Sequence, residues 1–133
     1  MMIKDIINFF RYRKERKIIE RELTEMIKIT QKRKIEIKIG SGIIFDILQF
    51  HDNSWIFTFH EKQKYFIIHY YLNKYTPIMK PFSYPAIIFT QIEHNGNSPR
   101  LGDIQILINF LAWIKEKGYT LESFLLYIKY LLI

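Results

Sequence analysis

The sequence predicts an α+β fold: an N-terminal helix, an antiparallel meander sheet of about five strands, and a C-terminal helical hairpin. Three observations carry this expectation. Apolar residues recur at helical spacing through the first thirty positions. Between Ile43 and Leu72, three runs of aromatic and β-branched residues are separated by short polar breaks at His51 to Ser54 and at Gln63-Lys64. After residue 103, two strongly apolar stretches flank Gly118.

The first segment does not present one apolar face. Ile3, Ile6, Ile7 and Phe10 lie on one side of a helix, whereas Ile18, Ile19, Leu23, Met26 and Ile27 centre on nearly the opposite side. The expectation is therefore either a break near Arg11 to Lys14, or an N-terminal segment, residues 1–12, that docks separately from the domain core. Ile35 to Ile39 alternates as a strand, and Gly40-Ser41-Gly42 is a hairpin turn leading into the meander.

Pairing Phe50 with Trp55 and Lys62 with Tyr65 sorts the meander onto two faces, because strand side chains alternate. One face, the expected core, carries Ile44, Asp46, Leu48, Phe50, Trp55, Phe57, Phe59, Glu61, Phe66, Ile68, Tyr70 and Leu72. The other carries Ile43, Phe45, Ile47, Gln49, Ile56, Thr58, His60, Ile67, His69 and Tyr71. That second face is too apolar for water alone and too polar for an ordinary core, so a partner chain, a nucleic-acid strand or a late helix is expected over it.

Beyond the meander, Pro77, Pro81 and Pro85 recur every fourth residue and define an extended arm, since proline is excluded from helix interiors and central strands. Ala86 to Glu93 returns as a strand, and Asn95 to Pro99 is a loop. Asp103 or Ser98 is expected to cap a helix over residues 104–117, which Gly118 ends. Thr120 opens the last helix over residues 121–133.

The chain has 133 residues, enough for one domain that buries roughly two-thirds of its unfolded surface. With no cysteine, disulfides, thiol nucleophiles and thiolate metal sites are excluded. Twenty-six Ile stand against two Ala and no Val, the bias that AT-rich coding produces, as in a mobile element or a low-GC microbe. No stretch is long enough to span a membrane, and the expectation is a cytoplasmic protein.

Net charge is +7, of which the first 38 residues carry +6. Arg11, Arg13, Lys14, Arg16 and Lys17 are interrupted only by Tyr12 and Glu15, and Lys32, Arg33 and Lys34 form a second cluster. Such clusters fit phosphates. Arg21 and Lys28 instead read as a solvated helix face balanced by Glu residues at helical spacing. The candidate site therefore joins the eight basic residues of the two clusters to Phe45 and Tyr71 on the less apolar sheet face, where rings can stack bases.

A strand meander with a packed helix, a basic flank and an aromatic sheet resembles in outline the small β-β-β-β-α single-strand-binding proteins of transcription coactivators and some archaeal viruses. The resemblance implies nucleic-acid binding and transfers no particular residue. Ile3 to Phe10 also resembles a sliding-clamp-binding peptide at Ile6, Phe9 and Phe10, with Ile3 where glutamine is expected. A homodimer is expected together with nucleic-acid binding; the competing expectation is a protein-interaction or structural subunit, with a protein partner held through Ile3, Ile6, Phe9 and Phe10.

Enzyme chemistry is disfavoured. Helix, strands and the acids Asp46 and Glu61 resemble the restriction-endonuclease-like order, but Lys62 follows Glu61 directly, where the D…(D/E)-x-K signature needs an intervening residue. His60 and His69, expected nearly diagonal on adjacent strands, are two donors only, so no metal and no cofactor is expected.

Overall fold

In the computed structural model, residues 3–51, 53–72, 86–93 and 101–133 are described, with side chains of the first helix from Phe10 onward. The element order is α1 (Ile3–Ile29), β1 (Lys34–Ile39), β2 (Ile43–His51), β3 (Ser54–Glu61), β4 (Lys64–Tyr71), β5 (Ala86–Glu93), α2 (Asp103–Glu116) and α3 (Leu121–Leu132). This is an α+β fold, as the sequence predicts. The proline arm, the Asn95 to Pro99 loop, Asp52 and His94 lie outside the described residues. Two compact units result, a helical one from residues 1–31 and 101–133 and a sheet unit from residues 32–100.

In the helical unit, α1 is continuous over 27 residues, so of the two alternatives above a break near Arg11 to Lys14 does not occur. No Gly or Pro occurs before Gly40, so nothing in the local sequence interrupts the helix. It ends where the backbone N–H of Thr30 donates to the Met26 carbonyl at 2.9 Å and the Thr30 hydroxyl donates to the same oxygen. Ile18, Ile19, Leu23 and Met26 are buried with Leu107, Phe110 and Ile114 of α2 and Leu121, Phe124, Leu125 and Ile128 of α3. Gly102, rather than Asp103 or Ser98, occupies the N-cap of α2; Asp103 is in its first turn, where a carboxylate suits the helix dipole. Gly118 turns the chain at φ +90°, a conformation that favours glycine. Thr120 caps α3 in a reciprocal box with Ser123, whose N–H donates to Thr120 Oγ1 at 3.1 Å.

Glu22 and Lys129 tie α1 to α3 at 2.6 Å. Burial pushes the Glu22 carboxyl upward, but hydrogen bonds and charge from Lys129 and Arg21 outweigh it and hold the group below its ordinary value. A depressed carboxyl stabilises the fold above its unfolded pKa, and that contribution is lost as pH falls through the folded value. Glu22→Gln is expected to cost about 1–2 kcal/mol at neutral pH, because it leaves Lys129 half-buried without its counter-charge. Thermal melts of the two proteins should converge as pH drops below the ordinary carboxylate range.

The sheet unit is one antiparallel sheet in the order β1-β2-β3-β4-β5. Its register corrects the expected pairing in two places. Gln49, not Phe50, pairs with Trp55, and the register shifts between Gln49 and His51 before His51 meets Ser54. Phe50 is thus the extra residue of a β-bulge, and every β2 side chain before it changes face. Ile43, Phe45, Ile47 and Gln49 now share a face with Phe57, Phe59, Phe66, Ile68 and Tyr70, where all but Gln49 are buried. Ile44, Asp46 and Leu48 move to the opposite, open face, and Leu48 is exposed. Phe45 packs against Phe59 at 4.9 Å and Phe57 at 6.3 Å between ring centroids.

The second correction is at the β3–β4 turn, where Glu61 pairs with Lys64, leaving only Lys62 and Gln63 in the loop. Faces are unchanged by this two-residue slip, but neighbours are not. His60 faces Tyr65, and His69 faces Ile56. His60 and His69 are therefore four positions apart along the strands, roughly 13 Å, rather than diagonal neighbours.

Ser54 starts β3 with a buried hydroxyl that has no hydrogen-bond partner among the described residues. An unsatisfied buried hydroxyl is destabilising. Ser54→Ala is expected to raise stability by about 1 kcal/mol in urea denaturation, with the slope of the transition unchanged.

Candidate functional site

Basic side chains divide between the two units. On α1, Arg13, Lys14, Lys17, Arg21 and Lys28 are all exposed. Their spacings of one, three, four and seven residues place them within an arc of about 100° that runs about 22 Å along the helix. Phe10, 63 % exposed, begins the same stripe. Ile18, Ile19, Leu23 and Met26, turned away from it, are buried. The stripe exists because the apolar positions of the second half of α1 fix which side faces inward.

Charge balance differs along the stripe. Arg21 pairs with Glu22 at 3.2 Å and Lys28 with Glu25 at 3.8 Å. Arg11, Lys14 and Lys17 have no ion-pair partner among the described residues. Arg16 points elsewhere: its guanidinium donates to Tyr12 Oη at 2.8 Å and to Glu20 Oε1 at 3.2 Å, and lies 3.9 Å from Asp103. It braces α1 against α2, so of the five bases predicted in this cluster, Arg11, Arg13, Lys14 and Lys17 present themselves to solvent.

In the sheet unit, Lys32, Arg33 and Lys34 are exposed at the start of β1. Tyr71 lies on the open face as expected, stacked on His69 at 4.9 Å and 23°. Phe45 does not, because the bulge turns it onto the buried face at 0 % exposure, and it is withdrawn from the candidate site. The open face carries a second stacked pair, His60 and Tyr65 at 4.8 Å and 14°. Ile56, Ile67 and Thr58 lie between the two pairs, half-buried. These rings alternate with Phe57, Phe59, Phe66, Ile68 and Tyr70, and the alternation alone identifies their side.

Asp46 receives His60 Nε2 at 3.2 Å on this open face. Glu61, an odd number of positions from Thr58, alternates onto the other side. Asp46 and Glu61 therefore do not converge. No cluster of three His, Asp or Glu that could hold a metal ion occurs among the described residues. No helix among them is long and apolar enough to cross a membrane.

Phe50, like Leu48, is expected inside from the sequence and is exposed in the structure. It is 61 % exposed at the end of β2, and its ring meets His51 edge-on at 4.3 Å and 71°. Arg33, Gln49, Phe50, His51 and Asn53 border an open cavity of about 410 Å³ at this corner of the sheet. Comparison with known protein families, with characterised proteins and with solved structures gave no match. The functional reading therefore rests on the side chains themselves.

Proposed function

We propose that this protein is a non-enzymatic nucleic-acid-binding accessory protein of a mobile element or virus, which grips the phosphate backbone with α1 and stacks bases on rings of the sheet unit. The observation that carries the reading is the solvent-facing basic stripe of α1, with Lys14 and Lys17 held by no acidic partner among the described residues. Closely spaced cations on a rigid rod follow a phosphate chain and release its condensed counterions. Lys32, Arg33 and Lys34, with Tyr71 on the open face, extend the reading to the second unit.

Fluorescence anisotropy of labelled single- and double-stranded oligonucleotides at two salt concentrations tests this. Binding is expected to weaken steeply with salt; absent or salt-insensitive binding sinks the reading. A second reading is favoured by one observation: Leu126 and Tyr130, one turn apart on α3, are 62 % and 74 % exposed. Such a face fits a homodimer or a protein-interaction subunit, for instance a virion component or an inhibitor of a host machine. Light scattering that shows a dimer, together with no oligonucleotide binding at low salt, selects that alternative.

A further inference from the structure

We infer that the bulged corner of the sheet is a pocket for one unpaired nucleotide, with its base against Phe50 and its phosphate on Arg33. The inference rests on the nucleic-acid reading above and adds to it strandedness and a site.

The bulge makes the pocket. The bulge adds Phe50 to β2, where its apolar ring is 61 % exposed and meets His51 edge-on. Gln49 and Asn53, which also border the cavity, each offer an amide donor and an amide acceptor, the pair of groups that the edge of a base requires. Arg33 supplies the positive charge. A planar, polar-edged anion is the ligand class these side chains match. The volume, about 410 Å³, lies within the range of small-ligand pockets.

The frame is also fixed. The Gln49 N–H donates to the Arg33 carbonyl at 2.7 Å and the Leu72 N–H to the Asn53 carbonyl at 2.8 Å, so both sides of the corner are pinned by main chain. Tyr71, opposite Ser54 on the neighbouring strand, provides a further ring at the same end of the sheet. A base within a duplex is stacked on both faces and paired along its edge. Only a splayed base has a free face for Phe50 and a free edge for the amides.

The test compares the full chain with its Phe50→Ala and Phe50→Trp variants, using a labelled single strand and the duplex of the same sequence. Phe50→Ala is expected to weaken single-strand binding about ten-fold and leave duplex binding unchanged, and Phe50→Trp to restore the single-strand affinity. In the same protein, titration with deoxyadenosine monophosphate should shift the side-chain amide resonances of Gln49 and Asn53. Salt-dependent binding that Phe50→Ala leaves intact, or amide resonances that do not move, overturns the pocket while the role of α1 stands. Absence of any oligonucleotide binding at low salt overturns both.

Discussion

Phe45→Ala is expected to destabilise the protein by about 3–5 kcal/mol, and Phe50→Ala by no more than about 0.5 kcal/mol. The two residues are the same type, five positions apart on one strand, and simple alternation would put them on opposite faces with Phe50 inside. The bulge reverses that assignment. Phe45 is fully buried against Phe57 and Phe59, so truncation removes a ring and leaves a cavity that the flanking strands cannot close. Phe50 is mostly in water and loses little when truncated. Urea denaturation of the two variants reads the register directly. Equal costs, or a larger cost at Phe50, would mean that β2 pairs as alternation through the turn suggests.

The expected face assignment failed for a reason that can be located. Sequence identifies a strand by its alternation and a hairpin by its polar break, and both were legible from Ile43 to Leu72. A bulge leaves neither signal, because it adds one residue where the pattern is already giving way to the turn. One clue was available. The pairing of Phe50 with Trp55 put Asp46 in the core row, and a carboxylate left there without a partner is strongly disfavoured. The observed register places Asp46 on the open face beside His60 and brings Phe45 among aromatic neighbours instead. Applying the penalty at Asp46 would have flipped β2, removed Phe45 from the candidate site and exposed the odd position at Phe50.

The basic cluster was legible for the opposite reason: charge is local in sequence and needs no register. Sequence did not separate its members by role. Arg16 differs from Lys17 only in helical phase, and that phase faces Tyr12, Glu20 and Asp103. Arg21 and Lys28, read as a solvated face, belong geometrically to the same stripe as Lys14 and Lys17, although each has an acidic neighbour.

Reversing three of these charges together, Arg13→Glu, Lys14→Glu and Lys17→Glu, is expected to lower oligonucleotide affinity at least about a hundred-fold at low salt. The logarithmic salt slope should fall by about two to three, since each phosphate contact contributes about 0.7 for single strands and 0.9 for duplex. All three side chains are exposed on the outer arc of α1, so stability should stay within about 0.5 kcal/mol of the parent, which a thermal melt verifies. Arg16 is left in place because its loss would loosen α1 from α2 and mix a folding defect with a binding defect. A control of opposite sign comes from the same helix. Glu25 borders the stripe beside Lys28 at 3.8 Å, and Glu25→Lys is expected to raise affinity a few-fold at low salt and to steepen the salt slope. Loss on reversal and gain on extension, both vanishing at high salt, are what a phosphate track along one helix face requires. If neither substitution alters binding, the nucleic acid is held by some other surface, and the α1 stripe is only a solvated helix face.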